Sequence, residues 1–268
     1  MQGVREVPGT RFSPVRYVHE TGSTNADLLA AARTGEREGV VLVTDHQTAG
    51  RGRQGRSFHD EPGSAALFSI LLRPAAEIAG LVPLLMGLAA VDAVHTVVGG
   101  DTGPADPVVG LKWPNDVIVP ALAERKLAGI LAEATTGTEA GVAVVVGMGT
   151  NLRWVEPPPP EIATRAATLQ EVVELAGVAL AVVPDRAALI TAVLTALEGW
   201  LRLAETGRVG EVMDAYRARC ATIGRRVDLD TPSGPLVGTV QTVTDTGALR
   251  VETDAGPVDV LAGDAHHR

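Results

Sequence analysis

Cysteine is almost absent from this 268-residue chain. Cys220 stands alone, which excludes an intrachain disulfide and points to a reducing compartment. Aromatic residues supply only 3%, so aliphatic side chains and alanine must do most of the burying. At 46% hydrophobic and 21% charged, the composition is still that of an ordinary globular protein, with length for one large domain or one domain plus a small appendage. Lysine and asparagine are scarce as well: Lys112 and Lys126, then Asn25, Asn115 and Asn151, are all there are, against many arginines. A GC-rich gene explains that scarcity. All five survivors nevertheless fall inside the motifs described below.

Other absences exclude function classes. A formal net charge of −9 argues against a nonspecific nucleic-acid binder, which carries a basic excess. Residues 1 to 16 hold Arg5, Arg11, Arg16 and two prolines and no apolar core, unlike a secretory signal. The most apolar later stretch, Ala79 to Val98, contains Pro83, Asp92 and His95 and reads as a buried helix rather than a membrane span. A cytoplasmic protein with no membrane and no DNA partner is expected. There is no Cys/His cluster with zinc spacing, no G-x-S-x-G elbow and no Walker phosphate loop. A covalent enzyme nucleophile is therefore not suggested, and the site looks built for charge stabilisation.

The pattern along the chain predicts a helix over Thr24 to Arg33, with Ser23 or Thr24 as N-cap. Buried strands are expected at Val40 to Thr44 and Leu67 to Leu72, a helix over Leu81 to Val98, and strands at Val108 to Trp113, Val117 to Val119, Lys126 to Glu133 and Val142 to Gly147. The prolines from Pro157 to Pro160 mark an extended connection. Helices follow at about Asp185 to Glu205 and Val209 to Ala221. From Gly224 the pattern changes to short alternating strands with turns PSGP, DTGA and DAGP, a small all-β unit. The expected division is residues 1–221 and 222–268.

Five motifs carry the chemistry. Thr48 to Arg56 interleaves Arg51, Arg53 and Arg56 with Gly50, Gly52 and Gly55. Glycines let backbone approach a ligand, and arginines supply forked cations, a combination that suits a polyanion such as a triphosphate. An arginine–glycine segment that touches RNA has the same composition, but its place between two buried strands favours an ordered site. Lys112-Trp-Pro-Asn-Asp116 ends a strand in a polar turn that presents an amide and a carboxylate. Arg125-Lys-Leu-Ala-Gly-Ile-Leu131 opens an apolar strand with Lys126, a compact ammonium in a chain that otherwise uses arginine. Gly147-Met-Gly-Thr-Asn151 closes a β-branched run with glycines that allow close approach. Thr21-Gly-Ser-Thr-Asn25 offers hydroxyls and an amide to a small polar group, and Gln47 stands ready to join them.

Taken in chain order, TGSTN, QTAGRGRQGR, KWPND, RKLAGIL and GMGTN resemble in order and approximate spacing the motifs of biotin protein ligases, strongly over about residues 17 to 155 and more loosely in the C-terminal β unit. The resemblance implies an α+β fold: a mixed β-sheet catalytic domain packed with helices, related to class II aminoacyl-tRNA synthetases, plus a small C-terminal SH3-like β-barrel. It implies ATP and Mg²⁺, and a two-step reaction through biotinyl-5′-AMP that ends on a lysine of a biotin carboxyl carrier protein domain. By motif match, Ser23, Thr24, Asn25, Gln47, Arg51, Gly52, Arg53, Lys126, Gly129 and Gly149 would hold biotin. Arg51, Arg53, Arg56, Lys112, Asn115, Lys126 and Asn151 would hold the adenylate, with Gly147 and Gly149 letting the ligand lie against the sheet. Lys126, Arg53 and Asp116 would serve the chemistry. Lipoate protein ligases share the fold and adenylation chemistry, but their motifs differ from a Gly/Arg loop followed by KWPND. Two departures stand out. Pro120 to Glu124 lengthens the turn before Lys126, and leaves it correctly placed only if the flanking strands still pair. The sixteen residues before Tyr17 are too few for the winged helix of family members that repress transcription, so no repressor role is expected. Oligomeric state has no signature in the sequence.

Overall fold

The computed structural model describes residues 6–55, 61–99, 108–138, 141–178 and 184–267. The first unit runs β1 (Val15–Thr21), α1 (Thr24–Arg33), β2 (Val41–Gln47), β3 (Ala65–Leu72), α2 (Ala76–Ala79), α3 (Val82–Val98), β4 (Gly110–Lys112), β5 (Asp116–Val119), β6 (Arg125–Thr138) and β7 (Gly141–Asn151). It continues through α4 (Pro160–Ala163), α5 (Leu169–Leu175), α6 (Arg186–Glu205) and α7 (Val209–Arg219). The C-terminal strands are β8 (Arg226–Thr231), β9 (Gly234–Val243), β10 (Leu249–Thr253), β11 (Gly256–Val260) and β12 (Asp264–His267).

Seven strands form one sheet in the order β1-β2-β3-β7-β6-β5-β4, parallel at β1–β2 and antiparallel elsewhere. Every residue of β3 is buried, as expected of a central strand covered on both faces. One face is covered by α3, which packs in turn against α6, and the other by α1. Helix α3 is apolar nearly all round because it lies inside the main core. By length and composition α6 is apolar enough to cross a membrane, but Leu189, Ile190, Val193, Leu194, Leu197 and Leu201 are buried in that same core. Asp185 caps α6 by accepting the Ala188 N–H at 2.7 Å.

Several boundaries differ from the sequence expectation. The Val108–Trp113 strand contracts to Gly110–Lys112, and at its C-terminal end the Trp113 N–H bonds the Thr222 hydroxyl instead of a neighbouring strand. Strand β6 runs on to Thr138 and β7 on to Asn151, and the two pair from Ala128 opposite Thr150 to Thr138 opposite Gly141. The proline run is not extended throughout: Pro160 begins α4, a position where proline's fixed φ and missing N–H cost nothing. The Pro120–Glu124 turn leaves the strands paired, with Val119 opposite Arg125 and Ile118 opposite Lys126. It closes through Ala123 and Glu124 at φ of 54° and 59°. The left-handed region costs a non-glycine residue roughly 1–2 kcal/mol, so something must hold this turn.

The C-terminal strands form a separate antiparallel sheet in the order β11-β10-β9-β8-β12. The unit is tied back to β4 and the KWPND turn: the Ala221 N–H donates to Leu111 O at 2.8 Å, and the buried Trp113 indole N–H donates to Gly247 O at 3.0 Å.

Candidate active site

The ends of β3, β5, β6 and β7, the start of α1, the Gly/Arg loop and β12 surround a cavity of about 290 Å³. Its inner end is a buried polar cluster. Ser23 N-caps α1 by backbone geometry without a side-chain bond, and the Thr24 N–H is instead taken by Gln47 Oε1 at 2.9 Å. Thr24 Oγ1 lies 2.7 Å from Ser69 Oγ, which donates to Asn25 Oδ1 at 2.6 Å. Asn25 Nδ2 donates to Leu131 O at 3.1 Å and Glu133 Oε2 at 2.9 Å. Such a satisfied network holds buried polar groups in one orientation. It requires glycine at 147: a Cβ there would stand 2.1 Å from Asn25 Oδ1.

The floor is set by a β-bulge. Asp116 pairs with Gly129 and Val117 with Ala128, but Ile118 pairs with Lys126, so β6 carries one extra residue. The extra residue brings Lys126 onto the face of Gly129 and Asp116. Lys126 Nζ then lies 2.6 Å from Asp116 Oδ1. Gly129 leaves space for that side chain, since a Cβ would stand 2.9 Å from Lys126 Cε and Nζ.

The Gly/Arg loop forms one wall. Arg53 Nη1 donates to Asn115 Oδ1 at 3.2 Å, while Asn115 Nδ2 donates to Ile130 O at 3.0 Å. Arg53 also faces Asp264 at 3.9 Å, and Arg51 faces Glu133 at 3.7 Å. Among the described lining residues are five basic side chains, Arg51, Arg53, Lys112, Lys126 and Arg165, against two carboxylates, Asp116 and Asp264. An acidic protein thus carries a locally positive cavity, which attracts an anionic ligand.

Ser23, Thr24, Asn25, Gln47 and Gly149 line this cavity, as do Arg51, Gly52, Arg53, Lys112, Asn115, Asp116, Lys126 and Gly129. Asn151 does not. Its Nδ2 donates to Ala167 O at 3.0 Å and bonds Lys126 O at 3.4 Å, so it fastens the segment after α4 beside β6. Arg56 lies outside the described residues. Sequence reasoning missed Ser69, Arg165 and the β12 residues Asp264, Ala265 and His266. Ser69 had a signal, as the one hydroxyl in the apolar run of β3; Arg165 and β12 had none. Among the described residues no group of three or more His, Cys, Asp or Glu side chains could hold a metal.

A model of the biotin/lipoate A/B protein ligase family matches residues 21–151, and a model of the biotin protein ligase C terminal domain matches residues 222–268. The biotin--[acetyl-CoA-carboxylase] ligase of Mycobacterium tuberculosis is 37% identical over 265 residues, 97% of this chain and 91% of that protein. The enzyme of the same name from Paracoccus denitrificans is 31% identical over 237 residues, 88% of this chain and 93% of the relative. The solved biotin protein ligase of Aquifex aeolicus in complex with biotin and ATP superposes with a TM-score of 0.75 at 27% identity, covering 95% of this chain and 98% of that one. The chain belongs to the biotin protein ligase family.

Proposed function

We propose that this protein joins biotin to one lysine of a carboxylase's biotin carboxyl carrier domain at the expense of ATP. The observation that carries the reading is the meeting of all five motifs at one positive, glycine-floored cavity. Joining a carboxylate to a phosphate is opposed by their mutual repulsion, so the site must place cations where charge accumulates.

In the first step the biotin carboxylate attacks the α-phosphate of ATP, and pyrophosphate leaves. Ser23, Thr24, Asn25 and Gln47 hold biotin's polar head in the buried cluster. Lys126 faces the reacting carboxylate and phosphate, with Asp116 fixing its ammonium. Lys112, Asn115, Arg51 and Arg53 attend the nucleotide. In the second step the carrier lysine attacks the mixed anhydride and AMP leaves. Arg51, Gly52 and Arg53 close over the adenylate and keep water out. Magnesium would arrive with ATP and would offset phosphate charge during adenylation. A reducing, cytoplasmic setting fits the single buried cysteine.

The test is formation of acyl-adenylate from ATP with biotin, with lipoate or with both in competition. Biotin should form it and outcompete lipoate; preference for lipoate would overturn the assignment.

A further inference from the structure

The Pro120–Glu124 turn is held at Glu124, by partners from the C-terminal unit. One carboxylate oxygen accepts from Arg225 Nη2, and Oε2 lies 2.7 Å from His267 Nδ1. His267 Nε2 lies 3.1 Å from the buried Thr222 Oγ1, which accepts the Trp113 N–H at 3.0 Å. Burial, together with the charges of Lys112 and Arg225, holds the imidazole below its usual pKa, against the pull of Glu124. In the neutral ring the Thr222 hydroxyl donates to Nε2, and Nδ1–H donates to Glu124. The bonds therefore run in one direction, from the KWPND backbone through Thr222 and His267 to the Pro120–Glu124 turn. They fasten the end of β12, the strand whose Asp264, Ala265 and His266 line the cavity and whose Asp264 faces Arg53.

We propose that Glu124 is a positioning residue: the Pro120–Glu124 turn clasps β12 so that this strand forms a fixed wall on the nucleotide side of the cavity. Glu124 touches no reacting group and acts through His267 and β12. The inference rests on the biotin-and-ATP reading for its kinetic consequence, but not for its structural one.

The test compares the full chain with Glu124→Ala and Glu124→Gln. Losing a hydrogen bond to a charged group corresponds to roughly tenfold in binding or more. In Glu124→Ala the KM for ATP should rise about tenfold, while biotin affinity measured by calorimetry without ATP stays within about twofold. Deuterium uptake at residues 264–267 should increase, with β3 and β7 unchanged. Glu124→Gln keeps an acceptor for Nδ1–H and should fall between the two. His267→Gln, which leaves the Arg225 pair in place, carries the same expectation if Glu124→Ala does not fold. An unchanged KM for ATP with unchanged uptake at β12 overturns the proposal, as does an equal loss of biotin and ATP binding, which would mean general loosening. If the unmodified protein makes no adenylate, the ligase reading fails, and deuterium uptake still decides whether the clasp exists.

Discussion

Lys126 and Asp116 meet at 2.6 Å because β6 carries one residue more than β5 needs. Without the bulge the alternation of side chains along the strand would separate Lys126 from the face that Gly129 and Asp116 share. The lysine side chain remains about 40% exposed, so the pair adds little to stability. Its value lies in where it holds an ammonium.

Lys126→Ala should therefore leave the fold intact and slow adenylate formation. Losing one preorganised donor typically costs about 2.7–4 kcal/mol of transition-state stabilisation, or roughly a hundred- to a thousandfold in rate. Lys126→Arg should not restore the rate, because a broad guanidinium fork does not replace a compact charge. Single-turnover kinetics on each half-reaction checks this. Normal adenylate formation with failure only in transfer to the carrier would assign Lys126 a different step.

Gly147 and Gly129 should respond differently to alanine. At Gly147 the new Cβ meets Asn25 Oδ1 at 2.1 Å and Ser69 Oγ at 2.9 Å, both in the buried cluster. Overpacking of that kind costs about 1–3 kcal/mol, and biotin affinity should fall with it. At Gly129 only the far end of Lys126 is in the way, so the side chain swings aside. Thermal unfolding should show a clear loss for Gly147→Ala and almost none for Gly129→Ala, whose defect appears in the adenylation rate. Equal stability losses would contradict this division.

Trypsin should cut after Arg51 and Arg53 in the free protein, and biotin with ATP should protect both sites. Ordering glycine-rich backbone is entropically costly. Arg51 reaches Glu133 only at 3.7 Å, and Arg53 is held by Asn115 Oδ1 at 3.2 Å and faces Asp264 only at 3.9 Å. Equal cleavage with and without ligands would count against closure of this loop.

Acid should weaken the attachment of the N-terminal segment to α6. Burial pushes the Glu198 carboxyl up, but hydrogen bonds from Arg11 and Arg202 outweigh it and bring the group below its ordinary value of 4.5. A carboxyl depressed in the folded state contributes stability above its unfolded pKa and loses it as pH falls through the folded one. Glu198→Gln should thus cost about 1–3 kcal/mol at pH 7. The gap to the unmodified protein should close as pH drops below about 4, read by denaturant melts across that range.

The catalytic half of this architecture was legible because its chemistry needs particular residue types. Lys126, Asn25 and Asn115 stand out in an arginine-rich chain, and the glycines mark close approaches. The Thr24–Arg33 helix was announced by its Ser23 or Thr24 cap, and the one expected over Leu81 to Val98, seen at Val82–Val98, by its long apolar run. What was not legible depends on long-range placement. Strand β12 is four residues, too short for a period, yet it walls the cavity. Asn151 has the residue type of a ligand contact but spends its amide on Ala167 O. The bulge that turns Lys126 inward shows only in the register between β5 and β6.

The most direct test of the central claim is exchange of labelled pyrophosphate into ATP by the purified protein, with and without biotin, followed by addition of a carrier domain. The account predicts exchange that depends on biotin, then a single biotin on the carrier that disappears when its acceptor lysine is replaced by arginine. Exchange that ignores biotin, or a carrier left unmodified while adenylate accumulates, would contradict it.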